Sequence, residues 1–275
     1  MKGAGLARAG LVMGYLQLSL LAGGILATRN EESFLWMFQQ LGKAIRPAPP
    51  TEHYADLNSA PFALIVPDGY KTGTPLPCVF WLHGYGSVGT DVYSGRVEFF
   101  RTIANHQNVA FVGITAGRRI TAGEDKDGYM WAESADEDQR HLEAVMEKNA
   151  DSITPDWSRS VLFGFSQGGK LAGLLAARYP EKYKAAMLFS PGGFHGVSIV
   201  PRGANLKGSK MLCVCMEKEA AATVVTTRYY AKELEKAGAS VSVSIYPGID
   251  QHQTPPDFET QLENWIHQLR DSHSN

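Results

Sequence analysis

The chain has 275 residues, 44% of them hydrophobic, with 26 basic and 28 acidic side chains and a formal net charge of -2. That is enough apolar material for one α/β domain of ordinary size plus an N-terminal extension. The charges balance and no basic stripe is present, so nucleic acid is not an expected partner. Three cysteines without a C-x-x-C pair, and no His cluster, give no reason to expect a metal.

At the N-terminus, Lys2 and Arg8 precede an apolar stretch over 10–27 interrupted mainly by Gln17 and Ser19. Ile25-Leu26-Ala27 ends it in the small residue that a signal-peptide cleavage site uses. Residues 1–27 therefore read as an export signal. Uncleaved, they approach the ~20 residues needed to span a membrane and would act as an anchor. Any membrane contact is expected through this segment alone. A helical, Pro-rich lead-in follows over 28–50. Phe34, Leu35, Phe38 and Leu41 recur at helical spacing within 31–46, and Pro47, Pro49 and Pro50 break the chain. A catalytic domain is expected over 51–275.

Within it the apolar runs give strands over 62–66, 78–82, 109–114, 160–163, 185–189, 211–215 and 241–246. Between them the pattern predicts helices over 94–106, 136–149, 170–178, 224–237 and 258–269. Pro180 and Gly238 act as stops. Residues 115–135, rich in Gly and Asp, read as a loop bordering the site. Continuous apolar strands alternating with helices specify a doubly wound, mostly parallel sheet with helices on both faces. Cys78, Cys213 and Cys215 fall within such strands and read as small buried apolar residues.

Residues 161–169, VLFGFSQGG, carry the most chemistry. An apolar strand meets Gly164-x-Ser166-x-Gly168 and passes into a helix, the context of a nucleophile elbow. The two glycines let strand and helix pass close together. Ser166 Oγ then stands above the sheet, and the Gln167 N–H at a helix N-terminus faces a developing oxyanion. Residues 78–86, CVFWLHGYG, end a second strand in a loop where Tyr85 N–H is the other expected oxyanion donor. Gly84 and Gly86 allow that loop to fold back over the site. The bland alternatives are a Gly-rich connection that contains a serine and a β-turn after a buried strand.

An elbow serine needs a base and an orienting acid, in the chain order Ser, acid, His. After the strand over 211–215 comes Glu217-Lys218-Glu219, with no aspartate; Glu219 is the first candidate acid and Glu217 the second. After the last strand, Pro247-Gly248-Ile249-Asp250-Gln251 leads to His252, the candidate base, with His195 as its rival. Tyr129, Trp131, Phe165 and Phe194 are candidate pocket walls.

These motifs together resemble the phospholipase/carboxylesterase branch of the α/β-hydrolases, acyl-protein thioesterase-like, and related feruloyl-esterase-like hydrolases, over roughly residues 60–270. The resemblance implies hydrolysis of a small-molecule or lipid-like carboxylic ester or thioester with no cofactor. Two departures stand out. The family's usual Gly-x-x-Asp after the penultimate strand is Met216-Glu217-Lys218-Glu219 here. In its usual Gly-x-x-His, Gln251 takes the histidine's place and His252 follows one position later. The altered acid leaves a non-catalytic binding domain as the alternative reading, with a peptidase on the same fold as another.

If residues 1–27 direct export, mass spectrometry of the protein from its native host should find a mature start near Thr28. A start at Met1 in a soluble cytosolic fraction contradicts this.

Overall fold

A computed structural model describes residues 61–121, 125, 127–192, 198–249, 253 and 257–271. They belong to one compact unit, Pro50–Gly193 with Ser198–Asn275. The expected export segment, the helix over 31–46, Phe194, His195 and His252 lie outside the described residues.

In chain order the unit contains strands β1 (Phe62–Ile65), β2 (Pro75–Leu76) and β3 (Cys78–Leu82), then helix α1 (Val97–Gln107). Next come β4 (Ala110–Ile114), β5 (Arg118–Arg119), β6 (Tyr129–Met130), α2 (Ala135–Lys148) and β7 (Thr154–Pro155). The chain continues through β8 (Ser160–Phe165), α3 (Gln167–Arg178), β9 (Tyr183–Phe189), β10 (Lys210–Met216), α4 (Ala221–Lys236), β11 (Ser240–Tyr246) and α5 (Phe258–Asp271).

Seven strands form the main sheet in the order β1-β4-β3-β8-β9-β10-β11. All neighbours run parallel except β1, which lies antiparallel on β4. The alternating faces of each strand feed two separate cores. Phe80, Leu82 and Leu162 join Leu142 of α2, Leu175 of α3 and Tyr230 of α4 on one face. Val79, Trp81 and Phe163 join Phe100 of α1 and Phe258, Leu262 and Trp265 of α5 on the other. The period-2 alternation of a strand thus buries both faces under helices, which is why β3 and β4 read as unbroken apolar runs. From β3 the chain moves outward to β4, then returns across β3 to β8. This is the switch point where strand order reverses, and in open α/β sheets ligands bind outside the carboxyl ends at such a point.

The expected doubly wound sheet is present, with local differences. Residues 115–135 are not all loop: β5 pairs antiparallel with β6. Two-residue strands carry too little periodicity to be read from sequence. Helix α3 begins at Gln167, not 170, and α4 at Ala221, not 224. Helix α1 begins at Val97 because residues 91–93 form a separate 3₁₀ turn. All three cysteines are free and buried, and burial pushes the thiols of Cys78 and Cys213 up to about 12.

Phe80 is wholly buried, stacks on Trp157 at 5.0 Å and meets Tyr183 edge-on at 6.3 Å. Phe80→Ala should lower unfolding free energy by about 3–5 kcal/mol, read by urea denaturation.

Candidate active site

Strand β8 delivers the chain to Ser166 with φ 55 and ψ −118, a conformation that a non-glycine residue holds only under constraint. The constraint is visible in the hydrogen bonds. Ser166 N–H donates to Phe189 O at 2.9 Å, while Ser166 O accepts from Gly192 N–H at 2.9 Å and Lys170 N–H at 3.1 Å. The glycines follow from contact. A Cβ on Gly164 would lie 2.1 Å from Gly168 O, and one on Gly168 would lie 1.9 Å from Leu82 O. With those side chains absent, α3 starts immediately at Gln167 and its first N–H groups stand at the positive helix end beside Ser166.

The loop after β3 lies against the elbow: a Cβ on Gly84 would sit 3.4 Å from Ser166 Cβ. His83 at its root is wholly buried. Ala116 N–H donates to His83 Nε2 at 2.9 Å, so the ring's proton is on Nδ1, which donates to Gly84 O at 2.6 Å. Burial pushes the imidazole pKa down to about 4, so the ring stays neutral. Because the peptide is planar and trans, pinning Gly84 O aims the Tyr85 N–H the opposite way. Among the described residues that N–H has no acceptor. The Tyr85 side chain is half exposed, and Gly86, at φ +80, donates its N–H to Tyr129 O at 3.0 Å.

The expected pocket walls separate. Trp131 is not a wall. It is wholly buried, with Nε1–H donating to His83 O at 2.9 Å and its ring 5.2 Å from the His83 ring. Its polar edge is needed inside, to hold the loop root. Tyr129 is nearly as buried and serves through its backbone. Phe165, the last residue of β8, is partly exposed beside Gly84.

The two candidate acids differ sharply. Glu219 is buried, and its Oε2 accepts from Ser190 Oγ–H at 2.8 Å and Met216 N–H at 2.9 Å. Glu217 is exposed and accepts from Gly248 N–H at 2.9 Å. Ser190 itself has φ 39 and donates its N–H to Val214 O. Two residues on, Gly192 bonds to Ser166 O, and a Cβ there would meet Ser166 Oγ at 3.0 Å. The Ser190–Pro191–Gly192 link therefore joins Glu219 to Ser166. Ser190 was missed from sequence, although a Ser-Pro-Gly-Gly run directly after a core strand marks it.

Beyond the paired Met216 and Tyr246, the loops of β10 and β11 stay joined. Glu217 N–H donates to Tyr246 O at 2.8 Å and Lys218 N–H to Ile249 O at 3.0 Å. Residue 252 follows Ile249 by three positions, a span of about 10 Å at most.

The model of the Esterase family, described as "Putative esterase", matches residues 57–194, half of the chain. The chain belongs to the Esterase family. The match covers the His83–Gly86 loop and the elbow, and ends before Glu219 and His252. Feruloyl esterase C of Emericella nidulans is 28% identical over 142 residues, 51% of this chain and 49% of that protein. The esterase-family chain thus spans about half the length of the curated relatives it matches. Among solved structures, esterase PE8 aligns with TM-score 0.57 and 21% identity, covering 77% of this chain and 98% of PE8. The Bacillus cereus carboxylesterase aligns with TM-score 0.54 and 18% identity, covering 76% and 93%. These likenesses establish the α/β-hydrolase fold.

His83 gives this esterase-family protein a measurable acid limb. Its folded pKa, about 4, lies below the unfolded value of 6.5, so the unfolded chain takes the proton first as pH falls. The stability it contributes is complete above pH 6.5 and drains away between 6.5 and 4. Urea denaturation should show about 2–3 kcal/mol lost to this group by pH 4.5. His83→Asn should be weaker at pH 7 yet lack that component of the loss.

Proposed function

We propose that the protein is a serine hydrolase that cleaves carboxylic esters, thioesters included, through an acyl-enzyme. Ser166 Oγ attacks the acyl carbon as His252 takes its proton. The carbonyl electron pair moves to oxygen, held by the N–H groups of Tyr85 and Gln167. The intermediate collapses, His252 passes the proton to the leaving alcohol or thiol, and water repeats the sequence on the acyl-enzyme. Glu219 orients His252 and stabilises the imidazolium. The observation that carries this reading is Ser166 at φ 55 on a strand-to-helix turn, at the N-cap of α3. Family membership and the esterase relatives support it.

Burial and two donated hydrogen bonds on Oε2 support Glu219 over Glu217. A glutamate reaches one methylene further than the usual aspartate, which suits a histidine displaced by one residue. The names of the fungal relatives make aryl-acid esters the first natural substrates to try. Export through residues 1–27 belongs to the same proposal; no described helix is long and apolar enough to cross a membrane.

The test is hydrolysis of p-nitrophenyl butyrate with fluorophosphonate labelling. Ser166→Ala should abolish labelling, and Ser166→Ala and His252→Ala should each lower kcat by several orders of magnitude. Glu219→Gln should cost on the order of 10²–10⁴, and Glu217→Gln little. A crippled Glu217→Gln beside an active Glu219→Gln reassigns the acid. Labelling that survives Ser166→Ala overturns the nucleophile.

A further inference from the structure

Behind the elbow runs a buried polar chain that the acyl-transfer steps do not use. Lys170, in the first turn of α3, is only 4% exposed, and its Nζ donates to Glu133 Oε2 at 2.6 Å. Glu133 Oε1 accepts from Gln167 Nε2–H at 3.2 Å. Gln167 Oε1 in turn accepts from Trp131 N–H at 3.0 Å, and Trp131 Nε1–H reaches His83 O. An unbroken series of hydrogen bonds therefore runs from the start of α3 to the root of the Tyr85 loop.

Glu133 holds its place under strain, at φ 58. Asp138, 2% exposed on α2, grips both of its neighbours: Oδ1 accepts from Ala132 N–H at 2.9 Å and Oδ2 from Ser134 N–H at 3.1 Å. That grip turns the Glu133 side chain toward Gln167 and Lys170. Burial raises the Asp138 carboxyl to about 7, so the turn rests on a group that resists being charged. A buried ion pair adds little net stability over a well-packed apolar pair. A buried carboxylate at Asp138, a buried Lys170 paired with a partly exposed Glu133, and a strained turn are therefore poorly explained by stability alone. Their common geometric effect is to tie the two oxyanion-donor segments to each other.

We propose that Glu133 is a positioning residue, setting the spacing between the backbone N–H groups of Gln167 and Tyr85 that hold the oxyanion. This rests on the reading of Ser166 as an acyl-transfer nucleophile.

The deciding variant is Glu133→Ala with Lys170→Met, which removes both charges and leaves no buried ion alone. Expected are a Tm within a few degrees of wild type and retained fluorophosphonate labelling of Ser166. The kcat for p-nitrophenyl butyrate should fall about 10- to 100-fold with KM within about twofold. The Ki of a trifluoromethyl ketone, whose serine adduct carries the oxyanion, should rise by the same factor. Glu133→Gln with Lys170→Met restores an acceptor to Gln167 Nε2 and should recover most of the lost kcat. If the alanine variant does not fold, Gln167→Met breaks the same chain without unpairing a charge and carries the same expectations. A folded, labelled variant with kcat within twofold of wild type overturns the positioning role alone. Wild-type protein that takes no label on Ser166 overturns the esterase reading and this proposal with it.

Discussion

Among the described glycines, two of the tightest approaches meet at the elbow. Gly168 O lies where a Cβ of Gly164 would be, and Leu82 O lies where a Cβ of Gly168 would be. Helix α3 therefore starts against the ends of β8 and β3 at a distance no side chain permits. Everything at the site descends from that approach. It holds Ser166 at φ 55, starts α3 directly after Ser166, and brings the Tyr85 loop alongside. The strain at Ser166 is held from a third direction by Phe189 O and Gly192 N–H, at the end of β9. Three adjacent strands at the middle of the sheet thus share one constraint.

The second organising feature is a pair of buried titratable groups held in unusual states. His83 is neutral because burial opposes its charge and both ring nitrogens are already used. Asp138 is pushed the other way, toward its neutral form, while two backbone N–H groups favour its anion. They act on stability in opposite directions. His83 withdraws support as pH falls from 6.5 to 4. Asp138, with its folded pKa raised from 3.8 to about 7, withdraws support as pH rises across that interval. His83 fixes the loop beside Ser166, and Asp138 fixes the turn whose Glu133 bonds Gln167 and Lys170.

Features that follow local rules were legible in the sequence. The elbow could be read because glycine at 164 and 168 around a serine, between an apolar run and a helix, suits few backbone paths besides a tight strand-to-helix turn. The two-faced burial of β3 and β8 showed as unbroken hydrophobicity. The ends of elements were less visible: α3 starts at Gln167 because Gly168 and Gly169 are helical under tertiary pressure, against their intrinsic preference. Trp131 looked like a pocket aromatic because nothing local reveals that its indole N–H bonds to His83 O, 48 positions away. Glu133 and Asp138 were invisible for the same reason, and the Ser-Pro-Gly-Gly run at Ser190 gave a position but no partner. Their roles depend on partners brought near by the fold and, for Glu133 and Ser190, on positive φ values that no residue type announces.

The site also divides its parts between the centre and the rim of the sheet. Ser166 follows β8, the fourth of seven strands, while the proposed acid and base follow β10 and β11 at the end of the described order. Strand β11 is partly or fully exposed along its whole length, and outermost strands open more readily than central ones. Glu217, Lys218, Pro247 and Gly248 of the zipped loops are exposed too, while Glu219 is buried beneath them. On warming, fraying should therefore begin at the rim and carry the base away while the elbow is still intact. Such a protein loses turnover reversibly, over a temperature range below its global melting, and regains it on cooling without having to refold its core.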